Sequence, residues 1–516
     1  MPEKVLKKIH TCIKPQWKVC FAAAVLVGVL AHFYKITNWL PNWDSLVFRY
    51  DPQNMVHFGR WFLPVVCALS SFYDLPFLNG LAAIVFHGLG AVCICEIMQV
   101  RKPVTAFLIG AVVVSFPTVT SVLMYNYVAD GYSIAFFLSA LAALYMTGEK
   151  PKMALPMVLI ALSAGIYQAY VTVTIMLVLL KLLDELIFRN ASWNSILKKA
   201  ARMLLTGVLG MALYGIVLKI VLRVLSIELL DYQGISATVS LAGIDLLGSL
   251  YVVKKTFLEC FFDLSNGVNV YVVLNGLIVV LTLGYYIKQI ICAKLYRNIP
   301  NMILTVLLSV MLVFGAAALA FINAYVDYHN LMRMGYCVFY LFFLLLYERD
   351  TEKKEAQTCF KCWVVLLVAL ATIANQVVIA NVSYHKAQMA YERSYGVLIR
   401  IADRIEQTPG AEACDKILVL GALDNSEHYH VNLPPNITGI TDGYILRADD
   451  ETVEQSVLCS ALADYCEKDY VFLSGDEKQA LVQRDAVQSM GTWPAADSIA
   501  VIDRTLIIKL STEGEG

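Results

Sequence analysis

The chain has 516 residues, 59% hydrophobic and only 16% charged, with a formal net charge of -1. So apolar a composition excludes an ordinary soluble globular protein and reads as a polytopic α-helical membrane protein. The small net charge hides an asymmetry, because Lys and Arg cluster in alternate loops while the C-terminal quarter is acidic and soluble in character; nothing in the pattern suggests a nucleic-acid partner.

Lys4, Lys7, Lys8, Lys14 and Lys18 precede the first apolar run, Val19 to Tyr34, which lacks a cleavage site and reads as a retained anchor. A polar loop follows directly, from Asn42-Trp43-Asp44-Ser45 through Phe58-Gly59-Arg60-Trp61. Its end, as far as Tyr73, has the pattern of an amphipathic helix lying in the membrane interface. A window of about 20 residues, matched to a hydrocarbon core of about 30 Å, places the next spans. They run over Leu78 to Met98, Val104 to Leu123, Ala129 to Met146 and Met153 to Leu183, then Met203 to Leu225, Val268 to Ile290, Met302 to Phe321, Met334 to Tyr347 and Trp363 to Ala380.

The basic loops orient these spans. Arg101 and Lys102, Lys150 and Lys152, Arg189 with Lys198, Lys199 and Arg202, Lys294 with Arg297, and Arg349 with Lys353 and Lys354 belong in the cytoplasm with the N-terminus. Met153 to Leu183 then has both ends in the cytoplasm. One straight helix of roughly 31 residues, at about 1.5 Å each, would overrun the bilayer. The segment is therefore expected to be two short helices meeting near Gly165-Ile166-Tyr167-Gln168-Ala169-Tyr170 and lining a cavity, the one setting in which broken backbone is tolerated at membrane depth. The count becomes about eleven spans over residues 1–382. An odd number leaves the last domain, residues 383–516, outside the cell.

That domain opens with apolar residues at helical spacing, Met389, Val397, Leu398, Ile401 and Ile405, and Pro409-Gly410 stops the helix. Strand-like runs at Lys416 to Leu420, Tyr470 to Leu473 and Thr505 to Lys509, with a helix over Thr452 to Cys466, make a small α/β module without a phosphate-binding glycine motif. Of the 13 Cys residues, those in apolar runs pack as small hydrophobes. Cys359-Phe-Lys-Cys362 has no second ligand pair, and a disulfide among Cys414, Cys459 and Cys466 is open.

Polar residues at the outer surface are the candidates for chemistry. Asp44 is a candidate base, or else a helix cap or loop carboxylate bonded to its own backbone; Asp51, before Pro52, is a second acid that also suits a helix start. The planar donors of Arg60 and Arg333 suit phosphate, with snorkelling to headgroups the alternative at Arg60. Asp130 opens a span, where the helix dipole favours an acid anyway, and is otherwise a sugar or metal ligand. Tyr167 and Gln168 have the groups to bond and stack on a sugar. Lys254 and Lys255, in the long outer segment Ser226 to Gly267, break the positive-inside pattern and read as a solvated face. A divalent cation at Asp44 or Asp130 is compatible with these residues, although nothing demands one.

The anchor, the loop with Asp44 and Gly59-Arg60-Trp61, the Gly-Ile-Tyr-Gln-Ala-Tyr apex, the late loop Asn330-Leu-Met-Arg333 and the closing Ser498-Ile to Leu506-Ile-Ile-Lys509 together resemble the GtrII-type glucosyltransferase family of bacterial membrane proteins, itself similar to the broader GT-C class. The resemblance implies transfer of a sugar, glucose first, from a polyprenyl-phosphate donor to a surface glycan acceptor on the outer face of the cytoplasmic membrane. It also implies that the catalytic acid sits in the first outer loop, which selects Asp44. Inverting transfer from a lipid phosphate needs one base and cations to steady the departing phosphate. Two other readings stand beside it. A glycan polymerase joining lipid-linked oligosaccharides would need no acid in that loop. A lipid-linked-sugar transporter or flippase would carry midplane charges and internal repeats, which this sequence does not display.

Overall fold

The computed structural model describes residues 2–4, 11, 13–48, 55–149, 152–230, 245–265, 267–322, 326–352, 360–423, 437–440, 443–446 and 451–511. Asp51, Cys359 and the basic residues Lys7, Lys8, Lys150, Lys353 and Lys354 lie outside these, as does the side chain of Cys466. The chain divides into two compact units, Met1–Trp39 with Tyr50–Val382 and Asn432–Thr438, and Leu40–Arg49 with Ser383–Val431 and Gly439–Gly516.

The first unit is helical. Among the described residues seven helices are long and apolar enough to cross a membrane, or eight if Pro103–Ser115 and Pro117–Met124, bent by 41° at Phe116, form one span. The bend follows from Pro117, which cannot donate to the ladder it interrupts. Ala154–Ile166 and Ile299–Gly315 are apolar but shorter. Val171–Phe188 carries Lys181, Asp184 and Glu185 in its second half.

Burial separates lipid-facing from central helices. In the apolar window of Trp193–Leu225 only 11% is buried, so its side chains, such as Leu204 and Val224, face outward; in Asn330–Thr351 the figure is 89%, which makes that span the centre. Pro15–Thr37 packs on Pro76–Ile97 and Pro103–Ser115, and the series continues through Ala129–Thr147 and Ala154–Ile166 to Trp193–Leu225. The interfacial helix expected over Trp61 to Tyr73 is corrected to a short helix, Leu63–Cys67, and a 3-10 turn, Ala68–Ser70. Ser71 and Phe72, both at positive φ, end it. Its two faces are nonetheless distinct, with Leu63, Val66 and Cys67 buried and Val65 and Leu69 exposed.

Charges within the helices are paired. Arg349 donates from Nε to Asp184 Oδ1 at 2.8 Å, from Nη2 to Oδ2 at 3.2 Å and from Nη2 to the Met98 carbonyl at 2.7 Å, and Lys181 Nζ lies 3.4 Å from Asp184 Oδ2. Beside them the carboxylate of Glu348 accepts from the backbone of Arg101 and Lys102 and from Thr105 Oγ1. It thereby supplies acceptors to the opening turn of Pro103–Ser115, where helix N–H groups have no partner of their own.

The second unit holds a four-stranded sheet, β1 Lys416–Leu420, β2 Val471–Phe472, β3 Ile499–Ile502 and β4 Thr505–Lys509, in the order β2-β1-β4-β3. β1 is parallel to both β2 and β4, and β3 returns antiparallel to β4. Leu418, Leu420, Leu473, Leu481, Val487, Met490 and Ile507 form its core. Strand β3 is absent from the sequence reading because its hairpin turn, Asp503-Arg504, has both residues at positive φ without the glycine that announces such turns. Cys414 and Cys459 are free thiols. The helix Phe360–Gln407 runs 48 residues without a break at Ser383; it has no proline, and Gly410 at φ +86 lies just past its end. The short helix Trp43–Val47 packs against Glu451–Cys466 within this unit.

Replacing Asp184 by Ala leaves Arg349 and Lys181 buried without their carboxylate. The expected cost is about 3–5 kcal/mol, measured as a lower melting temperature of the detergent-solubilised protein; an unchanged melting temperature would refute it.

Candidate functional site

The helical hairpin breaks at Tyr167, whose backbone is extended (φ -157, ψ 114) between Ala154–Ile166 and the 3-10 turn Gln168–Tyr170. A second loop, residues 55–62, satisfies the exposed groups at the break. Phe62 N–H donates to the Gly165 carbonyl at 2.7 Å, and Gln168 Nε2 donates to the Phe58 carbonyl at 3.0 Å and to Tyr214 Oη at 3.0 Å. Tyr214 in turn donates to the Gly59 carbonyl at 3.0 Å. Gly59 has φ +78, and a Cβ there would lie 2.6 Å from Tyr214 Oη and 2.8 Å from Gln168 Nε2. Only glycine lets the loop approach this closely.

The next residue is Arg60. Its Nη1 donates to Tyr132 Oη at 2.8 Å and approaches Met55 Sδ at 3.1 Å, while its guanidinium carbon lies 4.7 Å from the Tyr167 ring centroid. Tyr132 and Tyr167 stack at 4.6 Å with an interplanar angle of 10°. The aromatic faces help to hold the cation, a contact worth about 0.5–2 kcal/mol. Three residues named from the sequence, Arg60, Tyr167 and Gln168, are thus one assembly.

The Gln168–Tyr170 turn packs on a second 3-10 element, Asn330–Tyr336, which carries Arg333. Arg333 is 7% exposed; its Nε donates to the Tyr328 carbonyl at 2.8 Å and its Nη2 to Glu259 Oε2 at 2.5 Å. Glu259 sits on Leu246–Phe261, a helix within the segment that the sequence reading left as an outer loop. Between the chain positions of these cations comes His329. Its Nδ1 is buried and has no hydrogen-bond partner among the described residues. Burial lowers its pKa to about 4; Asp327 opposes the shift and the charges of Arg60 and Arg333 add to it. The imidazole is consequently neutral at neutral pH and within electrostatic reach of both guanidiniums.

The remaining candidates have contacts of their own. Asp130 is 4% exposed and its Oδ1 accepts from the Gly131 N–H at 2.9 Å, in the first turn of its own helix. Asp44 belongs to the second unit, half-buried in the first turn of Trp43–Val47. Asn42 caps that helix, its Oδ1 accepting from Ser45 N–H at 2.8 Å, so the cap is not the work of Asp44. Tyr214, Glu259 and His329 carry no role in the sequence reading. Tyr214 and Glu259 sit in apolar or loop-like surroundings with no motif around them; His329 adjoins Arg333, and that proximity was the available signal. Among the described residues no group of three or more His, Cys, Asp or Glu side chains is arranged to hold a metal ion.

A cleft of about 250 Å³ adjoins the helix that carries Glu259, lined by Phe257, Phe261, Ile278, Leu312, Phe339 and Tyr340. Phe257 and Phe261 flank Glu259 on one helix and pack against Tyr336, one turn beyond Arg333. Tyr340 Oη donates to Asn275 Oδ1 at 2.7 Å, so the cleft presents carbon rather than open polar groups.

Residues 33–346, more than half of the chain, match the family described as glucosyl transferase GtrII. No curated protein and no solved structure matches the chain.

A methyl group at residue 59 tests the close approach. Gly59→Ala is expected to cost about 1–3 kcal/mol through backbone strain and to displace Arg60. Gly207→Ala, where a Cβ meets nothing within 4 Å, should leave the melting temperature as it is. Equal melting temperatures for the two variants would contradict the assignment.

Proposed function

Since the chain belongs to the GtrII family and is a membrane glucosyltransferase, we propose that it moves glucose from a polyprenyl-phosphate donor to a surface glycan on the outer face of the cytoplasmic membrane, with inversion at the anomeric carbon. The acceptor hydroxyl attacks that carbon, the bond to the phosphate oxygen breaks with its electron pair, and the acceptor proton passes to a carboxylate. Asp44 is the proposed base and Asp51 the second acid of the same loop. Arg60 and Arg333 are the proposed phosphate ligands.

The observation that carries the reading is that one broken hairpin meets both the loop of Arg60 and the element of Arg333, with an apolar cleft along the helix of Glu259, the Arg333 partner. An isoprenoid phosphate has a matching division into an anionic head and a hydrocarbon tail. Cations preset around a leaving anion need not reorganise during the reaction, which makes them effective where water is scarce. Arg333 is already matched by Glu259, so an arriving phosphate competes with that carboxylate for its donors. Arg60 is held against the Tyr132 and Tyr167 rings, and its planar donors are proposed to turn to the donor phosphate. Tyr167, with its ring beneath Arg60, is the proposed sugar platform. Gln168 acts through the loop it ties down, and Asp130 is proposed to border the sugar site from the head of its helix. The outer-face orientation rests on the basic loops, and the external second unit on the odd count of about eleven spans expected from the sequence.

Asp44→Asn should lower transfer from a polyprenyl-phosphate glucose by about 10²–10⁴-fold, with insertion and melting temperature retained. Full turnover in that variant would remove Asp44 as base and favour the polymerase reading. Arg60→Lys keeps the charge but loses the planar fork, and is expected to weaken kcat/KM by about 10–100-fold, the worth of one charged hydrogen bond. Initial rates over a donor series measure this; equal kcat/KM values would reject a phosphate role for Arg60.

A further inference from the structure

His329 holds a place that the glucosyltransferase reading does not use. Its Nδ1 is buried and without a hydrogen-bond partner among the described residues, and it stands at the head of the 3-10 turn that carries Arg333, in reach of the field of Arg60. A buried donor or acceptor left without a partner costs about 1–3 kcal/mol. Such a cost persists readily where a ligand completes the bond.

We propose that His329 is the third anion-holding group of the donor site, taking up a proton from solvent as the isoprenyl-linked phosphate enters. The inference rests on the lipid-phosphate donor proposed above. With the site free of anion, burial keeps the ring neutral, against Asp327 and with a smaller push from the two guanidiniums. An entering phosphate reverses the sign of the local field, and the imidazolium then presents an N–H to a phosphate oxygen. When the glycosidic bond breaks, the phosphate passes from one negative charge to two, and a third cation is in place to meet the second. Delayed protonation has a physical advantage, because three permanent cations in a buried site would repel one another whenever the donor is absent.

The titratable and charged neighbours that bear on this are few. Asp327 lies on the same loop, Arg333 on the adjoining turn, and Arg60 in the 55–62 loop. Leu246–Phe261 contributes Glu259, bound to Arg333, with Lys255 at 3.8 Å from it and Cys260 on its inner side. The Gln168–Tyr170 turn contributes Tyr170, and the packed helix Pro117–Met124 has no titratable side chain.

The sign follows from linkage. A group whose pKa is higher in the complex than in the free protein makes binding tighter as pH falls, by up to about tenfold per pH unit between its free and bound values. The free value is about 4, so the slope lies above that pH and ends at the higher value in the complex. The test uses the full chain in lipid nanodiscs and a short isoprenyl methyl phosphodiester, which has one fixed charge and no titration of its own in this range. Affinity is measured from about pH 8 to about pH 5, and proton uptake by calorimetry in buffers of different ionisation enthalpy. The wild type is expected to bind more tightly at lower pH and to take up a fraction of one proton. His329→Gln, which keeps Asp327 and Glu259, is expected to bind with the wild type's high-pH affinity and a flat profile.

Binding without proton uptake in the wild type, or the same slope in His329→Gln, overturns the role of His329 and leaves the donor site standing. Failure of the wild type to bind the phosphodiester at any pH overturns the lipid-phosphate donor and this inference together. If His329→Gln does not fold, His329→Asn carries the same comparison, and absence of wild-type proton uptake overturns the role in either case.

Discussion

The break in the helical hairpin at Tyr167 is the constraint on which the rest of the site depends. Backbone groups freed inside a membrane protein must find partners within the protein, since lipid offers none. Here the Phe62 N–H of the 55–62 loop satisfies the Gly165 carbonyl, and the Gln168 side-chain amide of the hairpin donates in return to the loop's Phe58 carbonyl. One hydrogen-bonding requirement therefore brings the first loop onto the hairpin. Arg60 reaches the Tyr132 and Tyr167 rings as a consequence of that docking. A glycine at residue 59 is what makes the distance short enough.

The two arginines illustrate two ways of keeping a cation at low exposure. Arg333 is held by a carbonyl and a carboxylate, a conventional pairing that covers the cost of burial. Arg60 rests on aromatic faces and a phenol, whose π-systems and oxygen stabilise its charge. The neutral imidazole of His329 is the low-charge companion of both. Two positive groups and a ring that stays unprotonated are a less costly resting arrangement than three cations in the same volume.

At the far ends of the same helices the problem is solved by full neutralisation. Asp184 is shared by Arg349, Lys181 and Arg189, and Glu348 is occupied by three donors. The hairpin end differs in holding an imidazole nitrogen, His329 Nδ1, that is buried and has no hydrogen-bond partner among the described residues. Charges in a low-dielectric setting persist when they are matched.

Much of this was legible along the chain. Helical runs, the basic loops and the break in Met153 to Leu183 all follow from hydrophobic length and charge, properties that each segment carries by itself. Arg60, Arg333 and Tyr167 were also visible, because polar groups beside apolar runs are costly enough to stand out. Local patterns fell short where the decisive contact joins distant segments. The long outer segment conceals a helix bearing Glu259, Asp503-Arg504 turns a hairpin without glycine, and the interfacial helix after Trp61 breaks where Ser71 and Phe72 adopt positive φ. The helix Phe360–Gln407 passes through the position where composition alone placed a boundary, since nothing there interrupts its hydrogen bonds. The Leu40–Arg49 segment, with Asp44, joins the second unit although it follows the first span directly. By itself the sequence determined the membrane-protein class, the helices and the polar residues available for chemistry, since hydrophobicity and charge act within each segment. Only the tertiary structure decided which of those residues meet, because Gln168 with Tyr214, Arg333 with Glu259 and Arg60 with Tyr132 are contacts whose free energy exists only once the helices have packed.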